Sequence, residues 1–331
     1  MGSIGVIGTG TWGTALASLL AMQQEHHRIV LWGRRPELVA TLRATRVHPH
    51  LTMAVIPDRL EITADPQALQ TADLLFWAVP TQHSRSIALL LAKTLPGTVP
   101  LVSLTKGLEL ETLKTPTAIL AEVLGATRPL GALSGPSHAE EVIRTLPTGL
   151  VMAGPMDLRQ RVQELLHGRR LRIYGSEDLV GVELAAALKN VIAIAAGIID
   201  GLGLGDNLKA TIVTRGLAEI RRLGRKLGAR DQTFAGLAGI GDLLTTCYSQ
   251  HSRNRGLGQA VGRGESFSSF CERTGMVAEG AWTSRSALIL AAQQGVEMPL
   301  STEVANVLWN GASVANATES LITRSAKEED L

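Results

Sequence analysis

The chain is poor in the residues that mark several classes of protein. Aromatic side chains make up 3% of its 331 residues, so a core must be built mainly from aliphatic side chains. The only two cysteines, Cys247 and Cys271, are too few for a disulfide framework and lie in no metal-type spacing. This usage favours free thiols in a reducing cytoplasm. No signal peptide is expected, because a predicted strand and a glycine loop already occupy the first residues.

Charge is also scarce, which limits the kinds of partner. The formal net charge is +2 and no basic stripe is present, so a nucleic-acid partner is not expected. His48 and His50 flank a proline but have no third candidate ligand nearby, and no metal site is predicted. What the chain does contain is 45% hydrophobic residues, enough to bury a sizeable core.

A glycine-rich segment near the start lies between a predicted strand, 4–7, and a predicted helix, 14–22. Gly8, Gly10 and Gly13 have the spacing G-x-G-x-x-G. The first glycine permits a tight turn, the second lets the backbone approach a pyrophosphate, and the third lets helix and strand pack closely. Because a helix N-terminus also attracts negative charge, the segment predicts a dinucleotide site. A glycine turn in another α/β fold is the alternative.

The residues after the second predicted strand, 28–32, indicate which dinucleotide is bound. An acidic residue commonly lies about 20 residues beyond such a fingerprint in NAD sites, where it binds the ribose hydroxyls. Arg34 and Arg35 occupy that place here. Arginine suits a ribose 2′-phosphate, so we predict that NADP is preferred and NAD still accepted. Two solvated arginines at a helix start are the alternative.

Strand and helix patterns alternate through the first half of the chain. Further apolar strands are predicted at 74–79, 100–104, 130–133, 150–153 and 171–174, with a helix over 84–95. Such alternation is typical of a doubly wound, mainly parallel, Rossmann-like sheet. Ligands bind these sheets at the carboxyl ends of the strands.

Two polar segments follow predicted strand ends. Lys106 follows one, so we expect it to meet a phosphate or carboxylate; an ordinary surface lysine is the alternative. The segment 134–137 follows another and is glycine- and serine-rich. His138, beside a predicted helix start, is expected to pack or cap rather than to act as a base.

The alternation stops after Asp178, and the patterns beyond it are helical. We therefore predict a dinucleotide-binding domain over 1–178 and an all-helical substrate and catalytic domain over 179–331. The last two helices are predicted over 282–294 and 302–309.

The most apolar stretch, 182–199, carries Lys189 and Asn190 near its centre. A membrane span is not expected, because the run is short of the ~20 residues a span needs and contains a charge. A buried lysine is costly unless it is paired. Burial favours the neutral amine, whereas a nearby Asp242 would favour the ammonium. Snorkelling of Lys189 and simple helix capping by Asp242 are the alternatives.

The segment Ser252-Arg253-Asn254 lies between predicted helices. An arginine fork flanked by a hydroxyl and an amide suits a phosphate monoester. A surface loop is the alternative interpretation.

Together these motifs resemble the bacterial NAD(P)-dependent glycerol-3-phosphate dehydrogenase family, over nearly the whole chain. The most specific matches are Leu188-Lys189-Asn190 and Ser252-Arg253-Asn254. The others are the 8–13 fingerprint, 104–107, 134–137, 201–203, 214–217, 235–237, 241–243 and 277–280. His138 departs from the phenylalanine common in the family, a change expected to affect packing alone.

The resemblance implies interconversion of dihydroxyacetone phosphate and sn-glycerol 3-phosphate in the cytoplasm, feeding glycerophospholipid synthesis. It implies that Lys189 is the proton donor and acceptor, and a homodimer is a candidate assembly. Substrate contacts are implied for Lys106, Gly135, Ser137, Lys189, Asp242, Ser252, Arg253 and Asn254. Cofactor contacts are implied for Thr11, Trp12, Arg34, Lys106, Ala139, Arg253, Val277 and Glu279.

Two other functions fit parts of the pattern. A hydroxyacid or ketopantoate-type reductase would also pair a nucleotide domain with a helical domain bearing a lysine, but the loop at Arg253 argues against it. A nucleotide-sensing binding protein would need no buried ionisable group, so Lys189 counts against that function.

Overall fold

The computed structural model describes residues 2–168, 170–275 and 278–324. Contacts divide the chain into two compact units. The first unit runs to Lys106 and resumes over 114–179, and the second comprises 107–113 and the described residues from Val180 onward. The short segment 107–113 therefore groups with the second unit.

An eight-stranded sheet forms the centre of the first unit. The strands are β1 (Ser3–Ile7), β2 (Arg28–Trp32), β3 (Glu61–Thr63), β4 (Leu74–Trp77), β5 (Leu101–Ser103), β6 (Leu130–Ser134), β7 (Thr148–Ala153) and β8 (Leu171–Ser176). Their order is β3-β2-β1-β4-β5-β6-β7-β8, and every neighbouring pair is parallel except β6 and β7. The predicted doubly wound, mainly parallel sheet is confirmed. Strand β3 was not predicted, because its three residues include a single apolar one.

Helices cover both faces of this sheet. They are α1 (Thr11–Gln23), α2 (Pro36–Thr45), α3 (Thr81–Leu91), α4 (Pro116–Leu124), α5 (Ala139–Val142) and α6 (Met156–Leu166), with a 3₁₀ turn at Pro66–Leu69. Side chains alternate along a strand, so each face has its own core. Val6 packs in the cluster that contains Leu16 of α1, whereas the adjacent Ile7 packs in the cluster that contains Leu91 of α3. Because β1 to β6 run parallel, their carboxyl ends, and the loops that follow them, lie at one edge of the sheet.

From Leu179 onward, the regular elements among the described residues are all helical, as predicted. The helices are α7 (Leu179–Leu202), α8 (Gly205–Lys226), α9 (Asp231–Phe234), α10 (Asp242–Tyr248), α11 (Arg253–Gly262), α12 (Phe267–Thr274), α13 (Glu279–Gln293), α14 (Pro299–Trp309) and α15 (Val314–Ile322), with a π turn at Leu237–Gly241. The prediction that the helix ending near Trp309 is the last was wrong, because α15 follows it. Val314, Ala317 and Leu321 lie at helical spacing, with Ala317 buried and the other two packed against the core, so the apolar pattern of α15 was present in the sequence and was overlooked.

Helix α7 is longer than the predicted 182–199. Its 24 residues are long and apolar enough to cross a membrane, so the argument from length fails. The most apolar 18-residue window is nevertheless entirely buried inside the protein, as in the core helix of a globular domain. Its side chains belong to the aliphatic core that α8, α10, α11, α13 and α14 share.

Glycines let α7 and α11 approach until their backbones touch. A Cβ atom at Gly258 would overlap the carbonyl oxygen of Ile194, and one at Gly197 would overlap that of Arg255. One turn further on, a Cβ at Gly262 would lie 2.6 Å from the carbonyl oxygen of Ile198. The crossing therefore fixes the first turn of α11, which begins at residue 253, against the middle of α7.

Candidate active site

Lys189 lies at the centre of α7 with 4% of its surface exposed. Its Nζ is 2.9 Å from Oδ1 of Asp242 and donates to Oγ1 of Thr246 at 2.5 Å. Both partners belong to α10, four residues apart, and so lie on one face of that helix. Of the arrangements that the sequence left open, the structure has a paired lysine rather than a snorkelling one. The carboxylate favours the ammonium form, which can polarise a carbonyl and donate a proton.

Thr246 is a site residue that the sequence reasoning missed. Its hydroxyl donates to the backbone oxygen of Asp242 at 2.6 Å, so its lone pairs face the ammonium of Lys189. The signal was available: a hydroxyl four residues after Asp242 shares a helix face with it. Thr246 therefore orients Nζ without adding charge.

The predicted phosphate loop is only partly free to bind a ligand. Ser252 is the N-cap of α11, and its Oγ accepts from the backbone N–H of Arg255 at 3.2 Å. Arg253 is exposed and makes no hydrogen bond or ion pair with any residue the structure describes. The Arg255 guanidinium, in contrast, pairs with Asp200 at 2.6 Å. Arg253 is thus the available guanidinium of this turn, and Ser252 has a structural task as well.

Asn254 connects α11 to the start of α13. Its Oδ1 accepts from the backbone N–H of Gly280 at 3.0 Å. A Cβ at Gly280 would lie 2.5 Å from the carbonyl oxygen of Asn190 and 2.8 Å from Oδ1 of Asn254. The two asparagines are therefore neighbours, and this bond leaves the Nδ2 hydrogens of Asn254 to donate.

The glycine loop of the first unit has the geometry that a dinucleotide requires. Gly8 has φ +119°, and a Cβ there would lie 2.6 Å from the carbonyl oxygen of Ala78. A Cβ at Gly13 would overlap the carbonyl oxygen of Gly8. Gly10 is the N-cap of α1 and has open space where a side chain would be. These residues fit close approach of a pyrophosphate to the start of α1.

Three predicted cofactor residues, Trp12, Arg34 and Arg35, lie in or next to this loop. Trp12 lies in the first turn of α1, and its Nε1 is buried with no partner among the described residues. Arg34 and Arg35 follow Gly33, whose position would bring a Cβ 2.5 Å from the side chain of Thr9. Both arginines are exposed and make no described hydrogen bond or ion pair. They start α2 beside the glycine loop, the location expected for a 2′-phosphate contact.

His48 is hydrogen-bonded to the backbone of the glycine loop, a role that the sequence did not reveal. Its Nε2 lies 3.1 Å from the carbonyl oxygen of Thr9, and its Nδ1 accepts from the backbone N–H of His50 at 3.1 Å. Nδ1 is the acceptor, so Nε2 carries the proton and donates it to the loop. Burial lowers the pKa of His48, which favours this neutral form.

Lys106, Gly135 and Ser137 meet at the ends of β5 and β6. Nζ of Lys106 donates to the carbonyl oxygen of Gly135 at 3.4 Å, and Oγ of Ser137 donates to the same oxygen at 3.0 Å. Gly135 has φ +139°, a conformation that favours glycine. Ala139 begins the short helix α5, and His138 precedes it without a side-chain capping bond. The structure thus gathers a cation and a hydroxyl at the sheet edge where ligands bind.

The remaining candidates are less informative. Glu279 is half-buried at the first residue of α13, and Val277 lies outside the described residues. Burial raises the pKa of Cys247 to about 12, so this thiol is not a nucleophile at neutral pH. Within the described ranges, no three His, Cys, Asp or Glu side chains are grouped to hold a metal ion.

Comparison with known proteins gives matches over almost the whole chain. Family models described as the N-terminus and the C-terminus of NAD-dependent glycerol-3-phosphate dehydrogenase match residues 3–157 and 178–319. A glycerol-3-phosphate dehydrogenase [NAD(P)+] of Salinibacter ruber is 48% identical over 99% of this chain and 96% of its own length. One from Thiobacillus denitrificans is 44% identical over 98% of each chain.

Solved structures agree with these matches. The glycerol-3-phosphate dehydrogenase of Coxiella burnetii superposes with a TM-score of 0.93 at 33% identity, covering 98% of this chain and 99% of its own. A ketopantoate reductase from Ralstonia eutropha has a TM-score of 0.62 at 17% identity, covering 96% of this chain and 99% of its own. That lower likeness is one of fold alone.

Proposed function

The chain belongs to the NAD-dependent glycerol-3-phosphate dehydrogenase family, and we propose that it interconverts dihydroxyacetone phosphate and sn-glycerol 3-phosphate. It is an NAD(P)-dependent oxidoreductase. The observation that supports the proposed reaction is the buried ammonium of Lys189, held by Asp242 and Thr246 on one face of α10. A reduction at a carbonyl carbon needs such a proton donor beside the oxygen.

A nicotinamide dinucleotide held at the glycine loop of Gly8, Gly10 and Gly13 would supply the hydride for reduction of the carbonyl carbon. The carbonyl oxygen then gains negative charge, which the Lys189 ammonium stabilises before donating one proton to it. Asp242, 2.9 Å away, keeps the lysine protonated until that step, and Thr246 holds Nζ in place. In the opposite direction the neutral amine of Lys189 removes the hydroxyl proton.

Recognition of the phosphate falls to Arg253 in this proposal. The guanidinium is free of described partners and lies beside Asn254, whose Nδ2 hydrogens are available donors. A planar guanidinium with an adjacent amide donor is suited to a phosphate monoester. Lys106, with Ser137 beside it, supplies a further cation for an anionic ligand in the first unit.

We further propose that NADPH is preferred over NADH, because Arg34 and Arg35 occupy the place of the usual acidic residue. The product would supply the backbone of glycerophospholipids, and the cytoplasm would be the compartment. The free thiols of Cys247 and Cys271 support a reducing environment. A homodimer is the proposed assembly.

One assay tests the proposal. Oxidation of NADPH and of NADH is followed with dihydroxyacetone phosphate, with unphosphorylated dihydroxyacetone and with ketopantoate. We expect turnover with the phosphorylated triose, and little with the other two compounds. Turnover with ketopantoate alone would support the other reductase, and cofactor binding without any turnover would support a nucleotide sensor.

A further inference from the structure

A cavity of about 960 Å³ lies on the second unit, apart from the Lys189 site. It is bounded by α8, by the segment that precedes α14, and by the end of α15. None of the predicted substrate or cofactor residues lines it. Its apolar lining includes Leu208, Ile212, Leu300 and Leu321. A volume of this size is in the range of small-molecule sites, which span about 300–1,000 Å³.

The same cavity has a strongly basic lining. Its cations are Arg215, Arg222, Arg225, Lys226 and Arg324. Some of them are engaged: Arg222 donates to the backbone oxygen of Glu297 at 3.0 Å, and Arg225 pairs with Asp231 at 2.8 Å. Arg215 is half-buried and makes no hydrogen bond or ion pair with any described residue. A half-buried guanidinium without such a partner marks a place for an anion.

The acidic side chains of the cavity do not cancel this charge. Glu219 is buried, and its carboxylate accepts from the backbone N–H groups of Leu300 and Ser301 and from Oγ of Ser301. Its oxygens therefore serve the first turn of α14. Glu297 pairs with Arg324 at 3.6 Å. Five cationic and two acidic side chains line the cavity, so the formal charge of its lining is positive.

Arg215 belongs to the motif 214–217, which the proposed reaction leaves unexplained. The glycine of that motif has a packing reason, because a Cβ at Gly216 would lie 2.6 Å from the side chain of Ile192 on α7. No packing contact of this kind explains an arginine at position 215. It projects from α8 into the cavity instead of joining the core.

We call the apolar lining (Leu208, Ile212, Leu300 and Leu321) the wall of the cavity and its cationic side chains the rim. The apolar lining continues beyond the wall. A second, smaller cavity of about 40 Å³ shares Ile212, Leu300 and Leu321 with the first. It is lined further by Ile198 and Val304. We propose that the large cavity is a binding site for a small anionic amphiphile, whose carboxylate or phosphate head contacts Arg215 and whose alkyl body lies on the apolar wall. The proposal does not depend on the reaction at Lys189.

Calorimetric titration of the full chain, saturated with NADPH, tests this site. The probes are octyl phosphate and octanoate, which separate the two head groups, with inorganic phosphate and 1-octanol as single-feature controls. We expect saturable binding of at least one amphiphile and much weaker binding of both controls, because only the amphiphiles use rim and wall together. No saturable binding of either amphiphile would overturn the proposal.

Variants locate the binding. Arg215→Leu should weaken the amphiphile about tenfold or more, since a charge-assisted hydrogen bond is lost. Arg263→Leu is the matched control, an exposed arginine of the same unit outside the cavity, and should bind normally. Leu208→Trp should also weaken binding, because the larger side chain would fill the space proposed for the alkyl chain. Unchanged NADPH affinity, measured by fluorescence, shows that each variant is folded.

Three outcomes would contradict the assignment. Equal amphiphile affinity of Arg215→Leu and wild type would show that Arg215 does not contact the head group. Loss of binding in Arg253→Ala alone would place the amphiphile in the substrate site. A wild-type dimer that Arg215→Leu dissociates, with no amphiphile bound by either protein, would identify the cavity as a surface covered by a second copy.

Discussion

Lys189 is the residue on which the proposed chemistry depends, and its neighbours decide its charge. Burial alone would favour a neutral amine, but Asp242 at 2.9 Å stabilises the ammonium and Thr246 fixes its position. A charged lysine in this setting is both an electrostatic stabiliser and a proton donor. Pairing with Asp242 reduces the cost of burying this charge.

Replacing Lys189 by methionine should preserve the fold and remove the proton donor. We expect kcat with dihydroxyacetone phosphate to fall by ~10²–10⁴-fold, the usual contribution of general acid catalysis. The dissociation constant of NADPH, from fluorescence titration, should stay close to that of wild type. Near-normal turnover in a folded Lys189→Met protein would exclude Lys189 as the proton donor.

Arg34 and Arg35 should set the preference between the two cofactors. An arginine beside the ribose donates hydrogen bonds to a 2′-phosphate. Arg34→Ala should therefore lower kcat/KM for NADPH roughly 10- to 150-fold, and by less where solvent screens the contact. Efficiency with NADH should change little, which makes NADH the internal control. Arg35→Ala is expected to have the smaller effect, because Arg34 is nearer the end of β2. A wild-type preference for NADH would contradict the assignment.

His48 should make stability depend on pH. Burial lowers its pKa in the folded protein below the ordinary value of 6.5. Below that value the unfolded chain binds a proton that the native protein does not, so acid favours unfolding. As pH falls from about 6.5 toward 5, wild type should lose stability by up to about 1.4 kcal/mol per pH unit through this group, and His48→Gln should lose less.

Urea unfolding at several pH values measures this slope. His26→Gln is the matched control, since His26 is exposed. Its unfolding free energy should follow wild type across the range. Identical slopes in the wild-type and His48→Gln proteins would show that His48 does not carry the effect.

At the scale of elements, the crossing of α7 and α11 fixes the first turn of α11, the proposed phosphate-binding turn, against the helix that carries Lys189. The two helices meet through glycines rather than side chains. Arg253 and Asn254 begin α11, so any widening of the crossing displaces them from Asn190 and Lys189. Packing between elements, not local sequence, thus positions the residues proposed to bind phosphate.

Alanine substitutions on α11 test this crossing. Gly258→Ala would force a methyl group against the carbonyl oxygen of Ile194 and should cost about 1–3 kcal/mol, as overpacking does. Gly256→Ala, on the same helix with open space around it, should be neutral or up to about 1 kcal/mol stabilising. Urea denaturation gives both values. A smaller loss for Gly258→Ala than for Gly256→Ala would contradict the close contact.

At the scale of the whole molecule, catalysis is proposed to run on side chains and a dinucleotide alone. The Lys189 ammonium polarises the carbonyl, the task that a metal ion performs in other dehydrogenases. Turnover should therefore be unchanged after incubation with EDTA and gel filtration. Loss of activity that Zn²⁺ or Mg²⁺ restores would show that a metal ion takes part in the reaction.

Much of the architecture was determined by local sequence. Short continuous apolar strands, the glycine fingerprint at Gly8 and the change to helical patterns after Asp178 predicted a doubly wound sheet followed by helices, and both were confirmed. These signals are short-range, because side-chain periodicity and glycine conformation depend on neighbours in the chain. The family resemblance rested on the same local motifs. The domain boundary and the individual site roles stay predictions.

Only the tertiary structure decided which residues meet. Thr246 and His48 carried no motif, and their tasks follow from contacts with Lys189 and Thr9 across long stretches of chain. Whether Asp242 capped a helix or paired with the lysine was likewise open until α7 and α10 were brought together. Such contacts arise from packing of whole elements, whose relative positions no local pattern encodes, because they depend on side-chain volumes summed over the core.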